Sequence, residues 1–107
     1  MGKPTLKDYL AKAVETGAEA IEIEYKDGKD WIFAYHGPMG FGLAGLDSKE
    51  AKPLFTELDE LKKKKVVTLG ATEYRLRFSG YESFGEWVHR IEWKEIGRGS
   101  AAKRARK

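Results

Sequence analysis

Residues 9–37, YLAKAVETGAEAIEIEYKDGKDWIFAYHG, decide the fold, because the hydrophobic period changes inside them. Leu6, Tyr9, Leu10, Ala13 and Val14 recur at helical spacing and draw one apolar stripe. Thr5 stands as the N-cap after Pro4, and the Asp8 carboxylate lies near the positive end of the helix dipole. Gly17 supplies the stop, since glycine takes the left-handed conformation without steric cost. Beyond it Ile21, Ile23 and Tyr25 alternate with Glu22, Glu24 and Lys26, which is the pattern of a strand with one buried face. Asp27-Gly28-Lys29-Asp30 signals a hairpin turn. Trp31 to Tyr35 then has the β-branched and aromatic content of a second strand.

A chain of 107 residues with 41% hydrophobic content supports one packed domain and leaves no room for a nucleotide-hydrolysing engine. It has no cysteine, which excludes a disulfide framework and thiolate catalysis and makes a cytoplasmic setting the expectation. No apolar run is long enough to cross a membrane, and Met1-Gly2-Lys3-Pro4 leads into a helix cap instead of a signal peptide, so a soluble protein without membrane insertion is expected. The net charge of +3 is unevenly placed. The segment GRGSAAKRARK, residues 97–107, holds Arg98, Lys103, Arg104, Arg106 and Lys107, and the rest of the chain is mildly acidic. The expected organisation is a single domain over residues 1–96 and a basic, disordered tail over residues 97–107.

After the second strand, His36 to Leu46 is rich in glycine, and Gly40-Phe41-Gly42-Leu43-Ala44-Gly45 matches GxGxxG. The dinucleotide fingerprint fits poorly. Gly37-Pro38-Met39 separates strand from motif, the next helix starts beyond the third glycine, and the following strand has no terminal acid. The segment is expected to be a flexible connection whose Met39, Phe41, Leu43 and Leu46 tuck over the core. The alternative is a loop that docks a partner through Met39, Phe41 and Leu43.

Asp47-Ser48-Lys49-Glu50 has the form of a capping box opening a second helix to about Lys64, with Leu54, Phe55, Leu58 and Leu61 on its buried stripe. Pro53 falls in its second turn, so the regular helix is expected to begin there. Lys62 to Lys65 reads as a solvated cationic helix end. Val66 to Leu69 is a short strand. Thr72, Tyr74, Leu76 and Phe78 alternate with Glu73, Arg75, Arg77 and Ser79 in a fourth strand. Past a turn at Gly80 to Gly85, Trp87, His89, Ile91 and Trp93 share one face of the last strand, opposite Val88, Arg90, Glu92 and Lys94. The order α-β-β-α-β-β-β predicts an α+β two-layer sandwich, two helices on one face of a mostly antiparallel five-stranded sheet, with a parallel pair across the helical crossover.

Several strings resemble the non-catalytic N-terminal domain that precedes the motor in the ATPases of type II secretion and type IV pilus assembly. They are Gly17-Ala18-Glu19-Ala20-Ile21-Glu22-Ile23-Glu24 after a helix, the hairpin closing at His36-Gly37, Tyr74-Arg75-Leu76-Arg77-Phe78, and Gly85-Glu86-Trp87-Val88-His89-Arg90-Ile91. The resemblance spans about Leu6 to Ile96. It implies a regulatory or protein-interaction module whose partner is a secretion or pilus ATPase or its complex, with Arg77 and Arg90 at the family's arginine positions and Arg75 a weaker third. Phe33 and Tyr35 stand where the family often has second-strand arginines. The motor is missing, and no GxxxxGK[ST] occurs, so ATP hydrolysis by that route is excluded.

Strand parity independently puts Arg75, Arg77 and Arg90 on the face away from the helices, where they form either a docking surface for an anionic partner or cross-strand pairs with Glu22, Glu24, Glu73 and Glu92. His36 and His89 give no metal-ligand spacing, and His89 is expected at the core edge. Ser48, Ser79, Ser83 and Ser100 have no nucleophile context. Neither enzyme activity nor a cofactor is expected. The second hypothesis is nucleic-acid binding by the five cations of the tail.

Overall fold

The computed structural model describes residues 4–97. The elements run α1 (Leu6–Glu15), β1 (Ala20–Lys26), β2 (Lys29–His36), β3 (Met39–Leu46), α2 (Ser48–Lys64), β4 (Val66–Leu69), β5 (Thr72–Ser83) and β6 (Glu86–Gly97). Both helices lie against one face of a six-stranded sheet of order β3-β2-β1-β6-β5-β4, in which every neighbouring pair is antiparallel. The α+β class stands. The expected strand count, element order and parallel pair do not.

The missing strand is the glycine-rich segment, which pairs with β2 along its whole length as β3. Its glycines make room for rings. Gly45 and Gly40 sit directly opposite Trp31 and Tyr35, and a Cβ built on them would lie 2.7 Å and 2.8 Å from those rings. Gly80, opposite His89 and diagonal to Trp87, makes room for the Trp87 ring, 2.5 Å from its built Cβ, and the stretch expected to turn at Gly80 continues as β5 to Ser83. A glycine read as punctuation is here a seat for a cross-strand aromatic.

The parallel pair is absent because β3 and β4 lie at opposite edges of the sheet. Six strands spaced about 4.8 Å apart span roughly 24 Å. The 17 residues of α2 rise about 25 Å, so one helix carries the chain from edge to edge. Asp47 and Glu50 close the capping box and α2 starts at Ser48. Pro53 lies inside the helix on its exposed side, and it forgoes a hydrogen bond without ending the helix. Thr5 and Asp8 cap α1 in the same reciprocal way. Glu57 of α2 then accepts from the Leu6 and Lys7 backbone N–H groups at 2.8 and 3.0 Å, placing a carboxylate at the positive end of α1 and locking the two helices together.

Between the layers, Leu6, Leu10 and Leu58 meet Ile21, Ile23, Ile32 and Ile91, all almost fully buried. Each such side chain contributes roughly 1.5–3 kcal/mol. Burial does not stop at that face. Ala20, Val88 and Glu22 are also buried although they point away from the helices, opposite Tyr35, Tyr81 and Arg90 respectively.

Candidate functional site

The sequence singles out three arginines, and the register puts them on one face: Arg77 opposite Glu92, Arg75 opposite Lys94 and Arg90 opposite Ser79. Their circumstances differ. The Arg90 guanidinium donates to Glu22 Oε2 at 2.7 Å and to Glu92 Oε2 at 3.0 Å, and it lies over the Tyr35 ring at 5.9 Å. Tyr81 donates its hydroxyl to the second oxygen of Glu22 at 2.5 Å. Glu22 is only 4% exposed, so the cluster is an internal fastening of β1, β5 and β6. Burial opposes the charge of Arg90, yet its bonds to Glu22 and Glu92 outweigh burial and hold its pKa above the ordinary value. The hydroxyl's own hydrogen bond to Glu22, followed by burial, raises the Tyr81 pKa. Arg90 is thereby committed within the fold.

Arg75 and Arg77 are exposed, and the ion pairs among the described residues involve neither. Glu92, which faces Arg77 in register, is taken by Arg90. The two free guanidinium groups border a cleft of about 690 Å³ where β5 runs on past the end of β4. Lys62 and Lys65 line it from the end of α2, and Glu92, Trp93 and Lys94 from β6. Leu76 and Phe78 of β5 supply apolar surface beside Trp93. By register Arg75, Arg77, Glu92 and Lys94 reach the cleft from the face away from the helices, and Phe78 and Trp93, with Lys62 and Lys65, from the helix side of β5, so five cations and one carboxylate border it around partly buried rings. The lysine run, read from sequence as a solvated helix end, delivers Lys62 and Lys65 to this site because Lys65 closes α2 in the left-handed conformation, with φ 61°, and its carbonyl accepts from Leu76 N–H at 2.8 Å. Lys94 was legible by parity with Arg75. The convergence of α2 on β5 was not.

The loop candidates take up other positions. Met39 and Phe41 are exposed residues of edge strand β3, opposite His36 and Ala34, and Phe41 meets the His36 ring edge-on at 5.4 Å. Leu43 is the extra residue where the β2–β3 register shifts, and it packs against the core. Such a bulge bends an edge and discourages further strand addition. His89 packs on Phe55 with ring centroids 5.6 Å apart; burial, then Lys62, lowers its pKa. Arg98, Lys103, Arg104, Arg106 and Lys107 lie outside the described residues. Among the described residues no three His, Cys, Asp or Glu converge as a metal site, and no helix is long and apolar enough to cross a membrane.

The fold and cleft define an α+β sheet domain with a basic groove at a partly open sheet edge. Against known proteins, the chain matches no family model and no curated sequence.

Proposed function

We propose that this protein is a non-catalytic interaction module that holds an acidic segment of a protein partner in the cleft beside β5. The observation that carries the reading is the pair of guanidinium groups, Arg75 and Arg77, without an ion pair among the described residues, bordering one cleft with Lys62, Lys65 and Lys94. Arginine forks bind carboxylates two bonds at a time. Beyond Arg75 the outer edge of β5 has no strand beside it among the described residues, so an extended segment can add main-chain hydrogen bonds there. Its resemblance to the N-terminal domain of secretion and pilus ATPases suggests that such an ATPase, or its complex, supplies the segment. On this reading Arg77 meets the partner, while Arg90 is a positioning residue that engages Glu92, the carboxylate facing Arg77.

The test is titration with an oligoglutamate peptide and, separately, with single-stranded DNA, at low and moderate salt. The Arg75→Ala/Arg77→Ala variant should bind the peptide at least tenfold more weakly than the parent. Equal binding by the variant, or binding of DNA alone, would refute the reading.

A further inference from the structure

The β5–β6 hairpin ends, away from the cleft, in a feature that folding does not require. Phe84-Gly85 is a two-residue turn between the paired Ser83 and Glu86, and both turn residues have positive φ, 51° and 84°. That geometry favours Asn-Gly. A phenylalanine in the left-handed region carries strain that only a gain elsewhere offsets. No contact among the described residues provides the gain, because Phe84 is fully exposed. Tyr25, Tyr81 and Trp87 are also among the exposed aromatics. Phe84 borders a depression of about 350 Å³ together with the carboxylates of Glu24, Asp27 and Glu86, against the single cation Lys26.

The two ends of the hairpin are thus complementary. The tip presents an apolar knob beside carboxylates, and the cleft presents the edges of Phe78 and Trp93 beside an excess of cations. We infer that copies of this chain associate head to tail, with Phe84 of one copy seated at the partly buried rings of Phe78 and Trp93 of the next and Glu86 meeting Arg77 across the β5 edge. This rests on the reading of the cleft as a docking site and names a second copy as an occupant. A molecule cannot fill its own cleft, because Arg77 and Ser83 are six positions apart on one strand, about 20 Å along a rigid hairpin. A lipid surface is a poorer occupant for the tip, since the carboxylates around Phe84 repel anionic headgroups. Because tip and cleft are different surfaces, the contact is heterologous and propagates instead of closing as a two-fold dimer.

A tip in a cleft belongs with small, transient interfaces, so sedimentation of the full chain should span roughly 10 µM to 1 mM. The average mass should rise with concentration and fall with added salt. Phe84→Asn and Arg77→Glu should each be monomeric. An equimolar mixture of the two should give a heterodimer and nothing larger, since one good tip and one good cleft remain. A parent chain that stays monomeric, variants that associate like the parent, or a mixture that does not pair would each overturn the inference. So would association that vanishes when residues 98–107 are deleted, which would make the tail the occupant. Oligoglutamate binding by Phe84→Asn separates the two readings. If it persists while the parent is monomeric, the cleft reading survives and self-association falls; if both are absent, both fall.

Discussion

Replacing Gly45 by alanine tests why the middle of this chain is rich in glycine. Strand propensity alone predicts a gain, since glycine in a strand interior costs roughly 0.5–1 kcal/mol relative to alanine. Geometry predicts a loss. A Cβ at Gly45 would lie 2.7, 2.9 and 3.0 Å from three atoms of the Trp31 ring, closer than packed carbon atoms approach. The ring must lift, and its Nε1–H then gives up its 3.0 Å hydrogen bond to the Lys26 carbonyl, worth about 1 kcal/mol net. Forcing a methyl into a filled space adds roughly 1–3 kcal/mol. The balance is a destabilisation of roughly 1–3.5 kcal/mol. Gly42 in the same strand is the control, because its Cβ would meet the Phe33 ring at an ordinary 3.9 Å, and Gly42→Ala should be neutral or stabilising by up to about 1 kcal/mol. Urea unfolding followed by tryptophan fluorescence and far-ultraviolet circular dichroism should separate the two variants by about 1 M in midpoint. In a Trp31→Ala background Gly45→Ala should lose its penalty, since the atom it collides with is gone. Equal effects at Gly42 and Gly45, or a Gly45 penalty that persists without Trp31, would refute the account of β3 as a seat for aromatic rings.

Three further outcomes follow from the same geometry. Arg90→Met should destabilise by about 2–3 kcal/mol in urea titrations, below the usual range for a broken buried pair because Arg90 keeps 22% side-chain exposure, and adding Glu22→Gln should recover part of the loss. His89 has its pKa lowered in the fold, so between that value and 6.5 the unfolded chain binds the extra proton; stability should fall as pH drops below 6.5, and His89→Leu should flatten that dependence in thermal melts. Phe84→Asn should raise stability by up to about 1 kcal/mol in dilute solution by relieving the turn, and a loss of stability there would contradict the strain assigned to Phe84.

Elements whose signal is local were legible in the sequence. Thr5-Asp8 and Asp47-Glu50 announce both helix starts, and the alternation in β1, β5 and β6 announces their faces. Glycine misled, at Gly40, Gly45 and Gly80 alike, because the reason for each lies in a ring on the neighbouring strand, and nothing local distinguishes a seat from a turn. The real turns at Gly28, Gly37, Gly70 and Gly85 all have positive φ. Spacing between Gly40 and Tyr35, and between Gly45 and Trp31, would have carried the signal only once the β2–β3 pairing was known. The arginines show the same division. Parity placed Arg75, Arg77 and Arg90 on one face, but which were free depended on where Glu22 and Glu92 were spent, a matter of cross-strand register.

The two readings of the cleft constrain each other. If Phe84 of one copy and an acidic segment of a partner occupy the same basic rim, they compete, and each weakens the apparent affinity of the other by mass action. Partner binding should then be stronger in dilute protein than in concentrated protein, and Phe84→Asn should remove the difference without touching Arg75 or Arg77. The arrangement depends on Arg90, whose bond to Glu92 engages the carboxylate that faces Arg77 in register. A chain with Glu92 unbound would have its own internal acid beside Arg77, opposite it in register, and the cleft would lose part of its charge before any partner arrived. Burial of Glu22 at the sheet centre and availability of Arg77 at its edge are therefore linked through the arginine on β6.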